Sequence, residues 1–463
     1  MRTLLKVMPE PIKELLRFSY SLVPLRLRMG HKYWEIKSFL EEAQWWNKEA
    51  IERWQLRKLR EIVRYAYENV PAYYFLYKEA GVRPDDIQDL SNIKLLPFVT
   101  KELIRDNLED FTSRSIPRWK LRYITTGGST GIPLGFYHTE INGFMENAFM
   151  HMGWERVGWK LGDSSAVLRG TFVGSKENFW KYDSCGRELL LSSYYLTEET
   201  YERYVEKILE YKPLHLQAYP SSATILSDLI ISNDDVGRVN FQIVLLGSEN
   251  IYDWQKERVS QAFPGARLFG WYGHSEQVVL ASMCEYSDQY HIWPFYGFTE
   301  ILDEDGNEVG EGEVGELVGT SFWNYATPFL RYRTMDTARK GKFGCDRCGR
   351  QFQLLVDIEG RVQDILITKT ERYIPVPSTS IHSDIFDNVK QFQFYQDTPG
   401  RVVFKVVRKD GYTDEDTEKI YRGLKRKLGE DMELEIAFVD EIPKTPRGKY
   451  RFLDQRLELK YGE

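Results

Sequence analysis

The sequence predicts an α/β fold, in which a large domain of packed α/β sheets with a β-rich part precedes a small α+β domain. Three observations predict it. Apolar runs alternate with helical periods from about residue 160 to residue 300, and short strands with turn signals follow. The last stretch reads strand, helix, strand. At 463 residues the chain is also longer than the chains that usually fold around a single hydrophobic core.

We expect three parts along the chain. Residues 1–54 form an N-terminal helical arm, residues 55–362 the large domain, and residues 363–463 a small, mobile C-terminal domain. Within the large domain, the β-rich part covers about residues 284–360.

The individual elements follow from periodicity and stop signals. Apolar residues at three- and four-residue spacing predict a helix over 54–70, which Pro71 ends. A short strand at 123–124 leads into a glycine-rich loop, and a helix over 143–157 follows. Further strands are predicted at 165–168, 214–219, 241–246, 267–273, 312–319, 402–407 and 434–439. Further helices are predicted at 197–211 and 414–428.

Composition excludes several classes of protein. The net charge of -7 argues against a nucleic-acid binder held by phosphate contacts. The sequence has no apolar run of 18 residues and no signal-peptide pattern. Four cysteines in a chain of this length are typical of a reducing compartment, so we expect a cytoplasmic protein.

The N-terminus differs in charge from the rest. Residues 1–32 contain seven lysines and arginines but two glutamates, a net charge of +5, with leucines, isoleucine and phenylalanine between them. Such a segment either makes a peripheral contact with an anionic membrane surface or is a solvated helical arm packed on the body.

Residues 125–135, TTGGSTGIPLG, concentrate four glycines and four hydroxyl side chains. Glycines let backbone N–H groups approach a ligand closely, and successive N–H groups can bind an anion. The loop is therefore either an ordinary flexible connection or a phosphate-binding loop. A strand, loop and helix in that order would favour phosphate.

Five separated stretches decide between these interpretations. They are the glycine loop, Tyr272-Gly273-His274-Ser275-Glu276, Arg331-Tyr332-Arg333-Thr334-Met335-Asp336, Gly360-Arg361-Val362-Gln363-Asp364, and Pro443-Lys444-Thr445-Pro446-Arg447-Gly448-Lys449. Together, and in this order, they resemble the adenylate-forming superfamily, especially its phenylacetate–CoA ligase branch with CapK-like members associated with polysaccharide loci. The resemblance runs from about residue 55 to the C-terminus.

The resemblance implies a role for each motif. Glu276 would bind magnesium, Tyr272 would stack on adenine, and Asp336 would accept hydrogen bonds from the ribose hydroxyls. Lys449 would join the carboxylate to the α-phosphate as the catalytic lysine. Gln363 lies at the hinge between the domains. The remaining nucleotide-binding positions are Thr126, Gly127, Gly128, Ser129, Thr130, Gly131, Gly247, Ser248, Glu249, Gly273, His274, Ser275 and Arg361.

The chain departs from the family pattern at four positions. Gly127 replaces a hydroxyl residue and Leu134 replaces the usual lysine of the loop, so the loop lacks a fixed cation, as in the phenylacetate branch. Met335 replaces a glycine before Asp336, which puts the local turn in doubt. Gln363 replaces an aspartate or lysine at the hinge.

The cysteines and one histidine form a second constellation. Cys345 and Cys348 make a C-x-x-C pair followed by Gly349, and Cys284 has His291 seven residues further on. Three thiolates and one imidazole would complete a closed, structural zinc site that fastens the β-rich part to the loop after Glu276. The alternative is two free thiols and an unrelated pair.

These residues predict an acid–thiol ligase that uses ATP and magnesium to activate a small carboxylic acid. Coenzyme A is the expected acceptor of the acyl group, and a carrier protein or an amine on a sugar is the alternative. A nucleotide-binding protein without chemistry is disfavoured by the presence of Lys449, Glu276 and Asp336 together. The candidate aromatic residues for an acyl pocket identify no substrate; they are Tyr137, Phe144, Trp154, Phe172, Tyr219 and Trp271.

Overall fold

The computed structural model describes residues 10–126, 134–170, 174–249, 251, 253–303, 305–359, 365–370, 373–375, 388–442 and 453–457. The helices, numbered in chain order, are α1 Glu10–Ser21, α2 Leu25–Ala43, α3 Lys48–Asn69, α4 Pro71–Glu79, α5 Lys101–Asp106, α6 Glu140–Glu155, α7 Glu198–Tyr211, α8 Pro220–Ser232, α9 Asp253–Ala262 and α10 Asp414–Leu428.

The strands of the first two-thirds of the chain are β1 Arg122–Thr125, β2 Gly135–His138, β3 Ser165–Arg169, β4 Trp180–Asp183, β5 Glu188–Ser192, β6 His215–Ala218, β7 Ile243–Gly247, β8 Arg267–Gly273, β9 Leu280–Cys284, β10 Ser287–Ile292 and β11 Gly297–Leu302. The later strands are β12 Val314–Ser321, β13 Tyr332–Phe343, β14 Gln353–Glu359, β15 Ile365–Ile367, β16 Tyr373–Pro375, β17 Val389–Thr398, β18 Arg401–Arg408, β19 Glu433–Phe438 and β20 Leu453–Gln455.

One sheet of twelve strands organises the large domain, in the order β11-β12-β13-β14-β10-β9-β8-β7-β6-β3-β5-β4. The strands β5, β3, β6, β7 and β8 run parallel, whereas every pairing from β8 to β11 is antiparallel. The predicted α/β and β-rich parts are therefore two halves of one continuous sheet. The parallel half reads as unbroken apolar runs because helices cover it, and β7 is buried at all five positions.

The C-terminal part has its own small sheet, β19-β18-β17-β20. Ile420, Leu424 and Leu428 of α10 are buried against it in a separate core. Thr413 caps α10, since its hydroxyl accepts from the N–H of Asp416. The predicted helix over 414–428 and its flanking strands are thus present, and the α/β fold class with a separate small α+β domain is confirmed.

The N-terminal arm packs on the large domain through α2 and α3. Tyr33, Ile36 and Leu40 are buried in the same core as the sheet. Helix α3 runs without interruption across the predicted boundary after residue 54, because Asn47 caps it earlier than the periodicity suggested. The predicted boundary at 362–363 lies outside the described residues, so the three-part division stays a prediction. None of the described helices has the length and apolar character needed to span a bilayer.

The expected order of strand, glycine loop and helix is wrong. Residues 127–133 join two antiparallel strands, β1 and β2, paired from Arg122↔His138 to Thr125↔Gly135, and α6 begins only after β2. The predicted loop therefore does not lead directly into α6, so the dipole of that helix gives no argument for phosphate binding by the loop.

Candidate functional site

Polar groups gather where the parallel strands end, at what we call the carboxyl edge: the ends of β3, β6, β7 and β8 and the residues that follow them. Gly247 ends β7 beside Trp271 of β8, so the Ser248–Glu249 loop and the Gly273–Glu276 turn leave the sheet together. A Cβ at Gly247 would lie 2.4 Å from the Trp271 indole, so only glycine fits there. Ligands of open α/β sheets bind at this kind of edge.

Tyr272 and Asp336, the predicted adenine and ribose contacts, meet at this edge. The Tyr272 hydroxyl donates to Asp336 Oδ2 at 2.8 Å, although 64 residues separate them. The preceding residue, Met335, has φ of +64°, and its N–H donates to Glu316 Oε1 at 2.9 Å. The backbone thus keeps the left-handed conformation that a glycine would adopt freely, and methionine bears the strain.

Glu276 lies one turn beyond β8 and is 8% exposed. Its Oε1 accepts from the Tyr332 hydroxyl at 3.1 Å, and its Oε2 lies 3.3 Å from His274 Nδ1. Burial alone would raise the pKa of Glu276. The nearby His274 and the charge of Lys101 together have a larger, opposite effect, so the pKa is lowered to about 2. The carboxylate is therefore ionised at neutral pH, as a ligand for a hard cation must be.

Two histidines beside Glu276 have unsatisfied ring nitrogens. Within the described residues, Nε2 of His274 and Nε2 of His138 are buried without a hydrogen-bond partner, whereas Nδ1 of His274 faces Glu276. Burial lowers the pKa of His138 to about 4, against a smaller opposing effect from Glu276, so the ring is neutral at pH 7. Buried polar atoms normally have partners, so these two nitrogens are candidates for contact with a bound ligand. Sequence reasoning missed His138, which ends β2 after the glycine loop.

Glu146 is a second residue that sequence reasoning missed. Its Oε2 accepts from the Tyr296 hydroxyl at 2.5 Å and from Gln277 Nε2 at 3.1 Å. Asn142, one turn earlier on α6, donates to Gln277 Oε1 at 3.1 Å. Gln277 has φ of +56°, so α6 holds in place the strained residue that follows Glu276. The available signal was a polar pair, Asn142 and Glu146, whose four-residue spacing places both on one face of the helix.

Arg169, at the end of β3, is a third site residue that sequence reasoning missed. Its guanidinium donates to Ser248 Oγ and lies 5.1 Å from the centre of the Tyr219 ring and 5.6 Å from that of Trp271. It is thus a cation held between aromatic faces at the carboxyl edge. One arginine at a strand end has no sequence signal of its own.

The base of the glycine loop is closed by two reciprocal hydrogen bonds. The Leu134 N–H donates to Thr126 Oγ1 at 2.9 Å, and the Thr126 N–H donates to the Leu134 carbonyl at 2.9 Å. Leu134, which replaces the family's lysine, is fully buried in the core. That position therefore contributes to packing and supplies no cation.

Several predicted site residues lie outside the described residues. They are Gly127, Gly128, Ser129, Thr130, Gly131, Arg361, Gln363 and Lys449. Their roles stay predictions from the sequence.

The candidate acyl-pocket aromatics do not form one group. Trp154 and Trp271 pack edge to face at 5.6 Å and border the same narrow apolar crevice. Tyr137 packs on Tyr123 instead. Phe172 lies outside the described residues. Trp271, Tyr219 and Arg169 together border the carboxyl edge.

The four predicted metal ligands come together in the antiparallel half of the sheet. Ligand atoms of Cys284, His291, Cys345 and Cys348, here called the Cys/His cluster, all lie within 4.8 Å of one another. Cys284 and His291 are on the β9–β10 hairpin, and Cys345 and Cys348 lie in the β13–β14 turn. Gly349 continues that turn with φ of +82°, and its N–H donates to the Cys345 carbonyl at 2.8 Å.

Distances in the cluster suit a tetrahedral ion. The Cys284 and Cys345 sulfurs are 3.9 Å apart, and Cys348 Sγ is 3.6 Å from His291 Nε2. Tetrahedral bonds to zinc would place two sulfurs about 3.8 Å apart and a sulfur and nitrogen about 3.6 Å apart. Burial and the nearby Arg156 and Arg350 lower the pKa of His291 to about 2, so its ring is neutral, as a ligand requires.

Two buried arginines border the cluster. Arg156 Nη1 lies 3.3 Å from His291 Nδ1, and its Nε and Nη2 are buried without partners among the described residues. Burial lowers the pKa of Arg156 to about 9. Arg350 is ion-paired with Glu285 and donates to Gln44 of the N-terminal arm. Three thiolates and a divalent ion carry one net negative charge, which would offset the burial of Arg156.

Comparison with known proteins supports the sequence resemblance. Residues 366–455 match the CapK C-terminal domain family. The chain is 27% identical to the phenylacetate-coenzyme A ligase of Aromatoleum evansii over 87% of its length and 89% of the relative's. It is 24% identical to Protein CapK of Staphylococcus aureus, over 86% and 88% of the two chains.

Solved structures share the fold. A 2-hydroxyisobutyryl-CoA ligase in complex with 2-HIB-AMP and CoA in the thioesterification state aligns with a TM-score of 0.59 at 17% identity, covering 89% of this chain and 92% of that one. The same ligase in the postadenylation state aligns with a TM-score of 0.57.

The fold is that of adenylate-forming ligases of known structure. Among such enzymes, this chain is a relative of the phenylacetate–CoA ligases and of CapK. The predicted resemblance and the predicted enzyme class, an acid–thiol ligase, are thereby confirmed.

Proposed function

We propose that the enzyme joins a carboxylic acid to the α-phosphate of ATP and then transfers the acyl group to the thiol of coenzyme A. In the first step a carboxylate oxygen attacks the α-phosphorus, and the bond to pyrophosphate breaks. In the second step the thiol sulfur attacks the acyl carbon, AMP leaves, and the thiol proton passes to solvent. The relatives that are phenylacetate-coenzyme A ligases support this assignment.

The meeting of Tyr272, Asp336 and Glu276 at the carboxyl edge carries the proposal. An aromatic face, an acceptor for ribose hydroxyls and an ionised carboxylate occupy adjacent positions, although Asp336 is 64 residues from Tyr272 in sequence. Two anions react in the first step, so the site must offset negative charge. Magnesium bound by Glu276 would supply that charge, and the pKa of Glu276 suits this role.

A carrier protein or a sugar amine remains the second candidate acceptor. The CapK C-terminal domain family matches residues 366–455, within the small domain whose rotation the resemblance links to the change from adenylation to thioester formation. The acceptor is therefore the feature in which this chain is most expected to differ from the phenylacetate–CoA ligases.

We also propose that the Cys/His cluster holds a structural zinc ion. All four protein ligands are close together and three are buried, which leaves no position for a substrate. The ion would cross-link the β9–β10 and β13–β14 hairpins.

A single assay separates these functions. The purified enzyme is incubated with ATP, magnesium and a broad panel of acids, and release of pyrophosphate and of AMP is followed with and without coenzyme A. Pyrophosphate release that depends on an acid, followed by AMP release that depends on coenzyme A, is the expected result. AMP release that requires a carrier protein or an amino sugar instead would select the second candidate.

Lys449→Ala tests the catalytic lysine that the motif predicts. We expect pyrophosphate release to fall by about 100-fold or more while ATP still binds, because the ammonium acts on charge that develops in the transition state. Lys444→Ala, in the same proline-bounded segment, is the matched control and should keep its activity. Unchanged pyrophosphate release in Lys449→Ala would refute the role.

A further inference from the structure

Helix α1 exposes an unusual amount of apolar surface. Ile12, Leu16, Phe18 and Tyr20 on the helix and Leu22 just after it are each between 44% and 70% exposed. At 100° per residue, Ile12, Leu16 and Tyr20 lie within an arc of about 80°, whereas Phe18 lies about 120° from Ile12 in the other direction. We call the surface formed by Ile12, Leu16 and Tyr20 the α1 face. Adjacent apolar side chains that stay exposed on a folded protein can mark a contact site.

The α1 face is joined to the rest of the enzyme. The guanidinium of Arg28 in α2 lies 5.9 Å from the Tyr20 ring, and its Nη1 donates to the Cys185 carbonyl of the large domain at 2.8 Å. Leu27, 71% exposed, continues the apolar surface onto α2. The exposed residues therefore belong to a helix that is connected to the large domain.

The charge around the α1 face identifies its partner. The chain as a whole carries -7, whereas residues 1–32 carry +5. An anionic surface would attract this end of the enzyme and repel the remainder, which orients it. The excess positive charge comes from basic residues before and after α1 in the chain, because α1 itself contains two basic and two acidic residues; these flanking residues are Arg2, Lys6, Arg26, Arg28 and Lys32. A helix that exposes apolar side chains between basic segments can lie in the interface of a bilayer. We propose that the α1 face docks the enzyme peripherally on anionic lipid membranes.

Vesicle co-sedimentation of the full chain tests the proposal. Vesicles of phosphatidylcholine alone are compared with vesicles of phosphatidylcholine and phosphatidylglycerol, at low and at high salt. We expect binding to the mixed vesicles, weaker binding at high salt, and little binding to phosphatidylcholine alone. Absence of binding to the mixed vesicles would overturn the proposal.

A matched pair of double variants locates the surface. Ile12→Glu with Leu16→Glu changes residues that are 47% and 44% exposed, and Leu95→Glu with Phe75→Glu changes residues that are 42% and 65% exposed elsewhere. Both variants alter the net charge equally. We expect the α1 variant to lose at least about tenfold in vesicle affinity, because two apolar side chains can no longer insert. The control should keep its affinity.

Three other outcomes would also overturn the proposal. Equal loss in both variants would mean that net charge alone governs binding. A lower unfolding temperature in the α1 variant only would mean that the chain itself covers this face, and a dimer that the α1 variant alone dissociates would assign the face to a second copy. Pyrophosphate release without vesicles should be the same in both variants.

Discussion

The two halves of the central sheet hold two sites built on different principles. In the parallel half, polar side chains leave the ends of separate strands, and ring nitrogens of His138 and His274 are buried without partners. In the antiparallel half, the four possible metal-ligand atoms of the Cys/His cluster all lie within 4.8 Å of one another. The first arrangement leaves polar groups for a substrate to satisfy, and the second leaves no room for one.

The two sites also differ in energy: backbone strain is found at the carboxyl edge, whereas the Cys/His cluster can stabilise the sheet. Met335, Gln277 and Ser248 have left-handed backbone at or beside the carboxyl edge. Such conformations cost energy and persist where surrounding structure enforces them. The Cys/His cluster instead joins two hairpins, so it can supply stability to the same sheet. Removal of a residue should therefore affect chemistry at one site and folding at the other.

The largest expected effect is on stability, from Cys345→Ser. We expect loss of bound zinc and a decrease of about 3–5 kcal/mol in the free energy of unfolding, because a buried ligand set loses its ion. Metal analysis and urea unfolding measure the two quantities. Cys185→Ser, at the cysteine outside the cluster, should change neither. If the Cys345→Ser protein keeps its metal content, the Cys/His cluster does not bind the metal, and the contrast drawn here between the two sites is wrong.

Glu276→Gln should have the complementary effect on chemistry. The amide keeps the shape but cannot offer an ionised oxygen, so we expect acid-dependent pyrophosphate release to fall by about 100-fold. Zinc content should stay the same. Steady-state rates over a range of magnesium concentrations provide the measurement. Full activity at ordinary magnesium concentration would show that the metal is bound elsewhere.

Asp336→Asn should weaken nucleotide binding by about tenfold, since a neutral acceptor makes weaker hydrogen bonds with ribose. The KM for the acid should change little. Calorimetric titration with ATP gives the affinity, and Asp357→Asn on the neighbouring strand β14 is the control. If both variants bind ATP equally well, the ribose contact is misassigned.

The smallest effect is expected from Met335→Gly. Glycine adopts the observed φ of +64° without the clash that methionine suffers, so the unfolding free energy should rise by about 0.5–1 kcal/mol. Chemical unfolding measures this change. A decrease would indicate that the packing of the Met335 side chain outweighs its backbone strain.

The sequence was most informative where chemistry restricts the choice of residues. Three cysteines and one histidine could be grouped before their contact was known, because few other arrangements satisfy a zinc ion. Both ends of helix α10 were predicted correctly from the sequence, because a threonine caps its first turn and a glycine follows its last residue. Tyr272 and Asp336 could be paired only through the resemblance, because nothing local relates residues 64 positions apart.

Tertiary pairing explains the parts that could not be predicted. Strand β2 has four residues and is recognisable only by its pairing with β1, so the hairpin around the glycine loop was missed. The attachment of strands β11–β14 to the rest of the sheet depends on β10 pairing with β14, which are more than 60 residues apart. Arg169 and Glu146 could be assigned to the site only from the residues that other elements of the fold place beside them.

The paired hydrogen bonds between Thr126 and Leu134 have a consequence for divergence. They fix both ends of the segment 127–133 at one point of the sheet, so the length and sequence between them can change without shifting β1 or β2. Closing a loop costs little more entropy as it lengthens. Relatives could thus exchange lysine for leucine at one anchor and vary the residues between, adapting the segment to a different substrate while the scaffold stays constant.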